Sequence, residues 1–289
     1  MFIIENQQLK VAISAKGAEL QSIYYKSFQL EYMWNGDPAF WAKRSPVLFP
    51  IVGALKEDKY VFGNKIYHLG RHGFAREMEF EVDDQQTDAI SFLLRSNEIT
   101  LANFPFSFEF RIGYRLHENN LKTTYNIINT DVSNMYFSVG GHPAFKLPLV
   151  DGTAYRDYYL EFDKNETLDR WPISSGGLIE KEPFPFLENT TILPLNKELF
   201  FKDALVFKHP NSSSVSLKSG KTIHGLDFSF EDFPYLGIWA AKNADFICIE
   251  PWCGIADSID TDQQFIHKEG INQLIAGEIF ERNWEVSFF

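Results

Sequence analysis

Apolar and polar residues alternate with a period of two along much of the chain, as in strands that bury one face. Leu9-Lys10-Val11-Ala12-Ile13-Ser14 alternates, Lys16-Gly17 supplies a turn, and residues 18–25 read as the return strand of an opening hairpin. Residues 60–67 read as a second hairpin, turning at Gly63-Asn64. Further strands are predicted over 80–82, 89–94, 106–114 and 121–128, separated by turns such as Asp83-Asp84 and Glu118-Asn119-Asn120. Residues 151–198 are richer in turn chemistry, as at Ser174-Ser175-Gly176-Gly177 and Pro183-Phe184-Pro185, with a strand over 158–162. Strands follow over 235–240 and 246–250, and the tail 277–289 alternates well enough to close a sheet. Many short strands with few helical periods predict an all-β antiparallel sandwich or barrel. No repeat or low-complexity tract interrupts 1–289, which reads as a single domain.

Composition agrees with that pattern. Hydrophobic residues make up 45% of the 289 positions, enough for a sizeable core, and 23% charged residues argue against disorder. Aromatics reach 16%, with 28 Phe, which favours strands and suits the walls of a carbohydrate or small-molecule cleft. A net charge of −12 weighs against nucleic acid and against an anionic membrane surface as partners. The two cysteines, Cys248 and Cys253, are too few for a disulfide framework, and their spacing is not a strong zinc signature. The N-terminus lacks a basic segment followed by a long apolar run, and no stretch is apolar enough to span a bilayer. The expectation is a soluble cytoplasmic protein with a small-molecule partner; oligomeric state is not legible.

Candidate chemistry sits at a few punctuated positions. In Ser138-Val139-Gly140-Gly141-His142-Pro143-Ala144-Phe145 two glycines permit a sharp turn or close ligand approach, and Pro143 biases His142 to an extended backbone. A histidine mounted stiffly among aromatics suits proton transfer, or else it caps a strand end. In His68-Leu69-Gly70-Arg71-His72-Gly73 the glycines oppose a helix, so the i, i+4 histidines are not read as a metal pair. Arg71 and His72 instead suit hydrogen bonds to hydroxyls or a phosphate, or form a polar rim. Arg44, in a proline-bounded segment, either faces solvent or lines a polar cleft. Asp203 precedes an apolar strand, where it caps the chain or pairs with a substrate hydroxyl. Glu250 ends a strongly apolar strand and shares a face with Phe246 and Cys248. Burial there raises a carboxylate pKa towards that of a general base, unless an arginine pairs it.

Taken in order, Trp34-Asn35-Gly36-Asp37-Pro38, Ser45-Pro46-Val47-Leu48-Phe49-Pro50, Arg71-His72-Gly73-Phe74-Ala75-Arg76, Gly141-His142-Pro143-Ala144-Phe145 and Glu250-Pro251-Trp252 resemble the aldose 1-epimerase (mutarotase) family, in particular its LacX-type subgroup of galactose mutarotase-like proteins. The resemblance implies a large antiparallel β-supersandwich and a cofactor-free isomerase. By it, Glu250 is the general base at the anomeric hydroxyl and His142 the general acid at the ring oxygen. It also implies that His72, Arg71, Arg44 and Asp203 bind a hexose or hexose phosphate, with Lys43, Arg44, Arg71 and Arg76 either holding a phosphate or serving as salt-bridge partners. The segments around His72 and Glu250 differ from those of the better-known galactose mutarotases, so the sugar stays open. A non-catalytic sugar-binding or sugar-sensing protein on the same fold is the competing reading.

Overall fold

The computed structural model describes all residues, 1–289. Two antiparallel sheets carry the fold. The larger has nine strands in the spatial order Phe184–Pro194, Tyr158–Arg170, Ser214–Ser219, Thr222–Ser229, Ile279–Phe288, Asn120–Asn129, Phe108–His117, Ala89–Arg95 and Glu81–Gln85. The smaller runs from Leu205–Lys208 through Tyr235–Trp239 to Phe246–Cys253, then to Val139–Gly141 and Val47–Leu48, with Ala144–Lys146 also paired to Phe246–Cys253. A four-stranded sheet from the first 31 residues and the hairpin Lys59–Phe62/Lys65–His68 flank these two.

Strand alternation accounts for the layering. In Asn120–Asn129 every second residue is buried, as in the neighbouring Phe108–His117, so the larger sheet has one core face and one wet face. Phe246–Cys253 is buried at every position, as its continuous apolar run requires of a strand covered on both faces. The sheets meet at aromatic contacts: Phe145 with Phe228, ring centroids 6.1 Å apart, and Phe49 with Phe110 at 4.7 Å. A contiguous cluster of 71 buried residues fills this interval. Leu48, Val206, Tyr235 and Trp252 form a second, small cluster. Cross-strand pairing puts them on the face of the smaller sheet that carries Glu250, and there the cleft lies.

Three expectations are corrected. Asp83-Asp84 is not a turn but lies inside the exposed strand Glu81–Gln85, where the register shifts between Val82 and Asp84. A bulge on an edge strand tolerates acidic pairs that a central strand would not. The turn-rich region after 151 contains two long strands, Tyr158–Arg170 and Phe184–Pro194, at the other edge of the large sheet. Three register shifts and extensive exposure erase their alternation. Gly140-Gly141 makes no sharp turn: Gly140 and Gly141 end a buried strand, and neither has a positive φ. A Cβ on Gly140 would sit 2.7 Å from the Trp252 ring, and one on Gly141 2.9 Å from the Tyr125 hydroxyl. Packing from both sides, not backbone freedom, requires glycine there.

Gly237, opposite Glu250 in the next strand, meets the same constraint: a Cβ would approach the Trp252 ring to 2.4 Å. Gly237→Ala is therefore expected to push Trp252 out of its slot and destabilise the protein by about 1–3 kcal/mol. Denaturant unfolding with an unchanged m-value, together with altered Trp fluorescence, checks this.

Candidate active site

Register brings the two principal side chains together. Val139 and Gly140 pair with Cys253 and Trp252, and Ala144, Phe145 and Lys146 pair with Cys248, Ile247 and Phe246. Both stretches keep one register, in which the position opposite Glu250 is His142. Pro143 has no N–H for the ladder and interrupts it there, leaving only a long bond from Ile249 N–H to the Pro143 carbonyl at 3.3 Å. His142 Nε2 lies 3.3 Å from Glu250 Oε2, with the residues 8% and 2% exposed. No arginine or lysine pairs with Glu250, so the alternative of a buried structural ion pair with arginine does not hold.

Aromatic rings fix the imidazole. Trp41 stacks on His142 at 4.9 Å and 28°, while Trp239 meets it edge-on at 5.5 Å and 86°. His72 closes a third side, ring centroids 5.8 Å apart. His72 has a left-handed backbone, φ +67°, held by its N–H bonding to the Gly53 carbonyl at 2.8 Å. Its Nδ1 accepts from Gly53 N–H at 3.1 Å, which leaves the proton of the neutral ring on Nε2. This backbone conformation is uncommon for a non-glycine residue, and the side chain lines the cleft. The cleft encloses about 490 Å³, in the range of small-molecule sites, and Arg71, Arg76, Lys202, Asp203 and Lys242 also line it.

Burial sets the charge state. Desolvation raises the Glu250 carboxyl well above 4.5, and the nearby Asp203 carboxylate adds to the rise. The Trp252 indole N–H works in the opposite direction, although it is not aligned closely enough to form a hydrogen bond. Desolvation lowers His142 to about 3, assisted by the positive charges of Arg76 and Arg71 and opposed by its own backbone. His72 is likewise held well below 6.5, by desolvation and then by His142 and the same arginines. Both members of the central pair are driven to their neutral forms.

The remaining expected residues divide. Arg71 lies on the cleft wall, its guanidinium close over Gly177, which has φ +81° and no side chain to obstruct it. Asp203 does two things at once: Oδ1 accepts from Ala204 N–H at 2.8 Å as a local turn, and the side chain lines the cleft. Arg44 is not at the cleft. Its guanidinium donates to the Gln21 side chain and the Asn35 carbonyl, and its N–H to Glu19 Oε1 at 2.7 Å. The acceptors of the N-terminal sheet and the loop after it outcompete the cleft for this fork. Arg76, expected with Lys43 as a possible phosphate ligand, does line the cleft, whereas Lys43, outside it, pairs with Glu77 at 2.7 Å. Trp41, Trp239, Trp252, Lys202 and Lys242 are cleft residues that the sequence does not single out. They come from four separate segments, and only the abundance of aromatics hints at such walls.

The chain is similar to known proteins over its whole length. A family model described as aldose 1-epimerase matches residues 1–265. Protein LacX of Lactococcus lactis subsp. lactis is 33% identical over 294 residues, covering 98% of each chain. Among solved structures, a galactose mutarotase related enzyme from Lactobacillus acidophilus superposes with a TM-score of 0.93 at 37% identity, covering 100% of this chain and 97% of that one. A galactose mutarotase-like protein from Lactobacillus casei gives 0.94 at 32% identity, covering 100% of both.

The folded-state pKa of Glu250 lies above its unfolded value, so its contribution to stability is intact below pH 4.5 and is lost as pH rises towards the folded value. Glu250→Gln should therefore match the wild type in stability near pH 4 and exceed it at pH 7, by about 2–4 °C in Tm for each kcal/mol relieved. Thermal unfolding at both pH values tests this; a lower Tm for the variant at pH 7 contradicts it.

Proposed function

Since the chain belongs to the aldose 1-epimerase family, we propose that it interconverts the α and β anomers of a hexose or hexose phosphate by general acid–base ring opening and closure. The observation that carries this reading is the His142–Glu250 pair, in contact at 3.3 Å at the base of a cleft. Glu250 as carboxylate takes the proton of the anomeric hydroxyl while imidazolium His142 delivers one to the ring oxygen. The C1–O5 bond breaks, C1 becomes an aldehyde carbon, and rotation about C1–C2 followed by reversal of both transfers closes the opposite anomer.

The pair needs only one proton throughout. With the closed sugar it is ionic, carboxylate plus imidazolium; with the open sugar it is neutral, carboxyl plus imidazole. Burial favours the neutral form, which supports the ring-opened state relative to the closed one. Each positioned group is worth about 10²–10⁴-fold in rate. His72, presenting Nε2–H, is a donor for a sugar oxygen beside His142. Trp41 and Trp239 give apolar faces on which a pyranose stacks.

Arg71 and Arg76 support the phosphorylated substrates. Neither forms a salt bridge with a carboxylate, and Arg76 Nε is buried without a partner. Both act electrostatically on His142, the residue assigned to O5, whereas Glu250 responds to Asp203. The carbon next to O5 bears C6, so these two cleft arginines are the groups proposed to hold a 6-phosphate.

Freshly dissolved α-galactose, α-glucose and their 6-phosphates, followed by polarimetry or NMR exchange in EDTA-treated buffer, test the reading. At least one is expected to anomerise faster with the protein, and no acceleration with any of them sinks it. Glu250→Gln and His142→Asn should each lower kcat by about 10²–10⁴-fold while sugar still binds; a protein that only binds sugar has no turnover to lose. The rate should stay level across neutral pH, with its acid limb below the ordinary histidine value of 6.5. Arg71→Gln should reduce kcat/KM for a 6-phosphate about tenfold or more relative to the unphosphorylated sugar. An unchanged ratio removes the arginine from phosphate binding.

A further inference from the structure

Cys248 takes no part in that acid–base scheme, yet it lies two positions before Glu250 on the same face of Phe246–Cys253 and is fully buried. One ligand atom from each of His142, Cys248 and Glu250 falls within 4.8 Å of the other two. From this cluster we infer that the three side chains form a binding site for a borderline-soft divalent cation, Zn²⁺ first, which captures the acid–base pair and inhibits turnover.

The donor set carries the argument. A thiolate, an imidazole and a carboxylate select zinc-like ions, whereas calcium and magnesium take oxygen ligands. Bonds of about 2.0–2.3 Å hold tetrahedral ligand atoms roughly 3.3–3.7 Å apart. His142 Nε2 and Glu250 Oε2 already stand at 3.3 Å, and Cys248 needs to draw in by up to about 1–1.5 Å by the same spacing. Three protein ligands with a cleft on the remaining side leave the fourth position to water or a sugar hydroxyl. His72 is not the fourth ligand, because its Nδ1 is engaged by Gly53 and its Nε2 bears the proton.

Charge balances in the buried site. On binding, the Cys248 thiol and the Glu250 carboxyl each release a proton to solvent, and the two resulting anions neutralise the dication. The imidazole is already in the neutral form that a metal requires. Of the other charged groups around the pair, Asp203 favours a cation and Arg71 and Arg76 oppose it. A buried thiol is by itself an ordinary core residue; here it borders two further ligands at the cleft base.

Binding does not rest on the mutarotase reading, although inhibition does, and the test separates them. The full-length protein is titrated with Co²⁺ alone, and a cobalt–thiolate charge-transfer band in the near ultraviolet is expected, displaced by stoichiometric Zn²⁺. The band should be lost in Cys248→Ser and kept in Cys253→Ser. If Cys248→Ser fails to fold, Glu250→Gln serves instead and should weaken Co²⁺ binding about 10–100-fold. No band in the wild type, or a band that survives loss of Cys248, overturns the site. Zn²⁺ should also slow anomerisation reversibly, with EDTA restoring the rate. Its inhibitory concentration, measured against each variant's own uninhibited rate, should rise at least about tenfold in Cys248→Ser. A cobalt band without zinc inhibition overturns the inhibitory part. A protein with the band but no anomerase activity overturns the mutarotase reading and leaves the metal site standing.

Discussion

The shared register of Phe246–Cys253 with the chain from Val139 to Lys146 is the constraint on which the site depends. Two short strands pair with one long strand as if they were continuous, and the residues that break the ladder between them are His142 and Pro143. Antiparallel pairing then sets His142 across from Glu250 with no loop to search for the geometry. A slip of one residue would turn either side chain through the sheet into the main core. That core resists such a slip because large aromatics press on the glycines beside the pair, Trp252 on Gly140 and Tyr125 with Trp284 on Gly141.

Burial is the common cause of what is chemically unusual here. The depth that holds His142 between Trp41 and Trp239 also strips water from it and from Glu250, moving their pKa values in opposite directions. A buried acid–base pair of this kind suits the two-way proton transfer that the proposed ring opening and closure require. The same depth places Cys248 beside the pair, where the carboxyl and thiol are both disfavoured as isolated anions. The arrangement costs stability at neutral pH, and the extensive core on the other face of the sheet offsets it.

Much of the fold and part of the site were legible in the chain. Strands whose alternation is clean, such as Asn120–Asn129, were readable because one face is wet and one is dry. Tyr158–Arg170 and Phe184–Pro194 were mostly missed because bulges and edge exposure remove that contrast. His142 and Glu250 were conspicuous for opposite reasons: one sits on a stiff Gly-Pro mount, the other is a charge in an apolar run. Arg44 was misplaced because an arginine beside prolines carries no mark of which acceptors it will meet. Trp41 and Trp239 gave no signal, since an aromatic wall is defined only by its neighbours.

By itself, then, the sequence determined the strand content, the candidate acid and base, and the family, because periodicity and short motifs are local properties of the chain. The tertiary structure decided that His142 and Glu250 touch, that Cys248 lies beside them, and that Arg71 and Arg76 line the same cleft while Arg44 does not. Those outcomes depend on register and sheet packing between residues more than a hundred positions apart. Such pairings are selected by the whole core at once and leave no trace in any single segment.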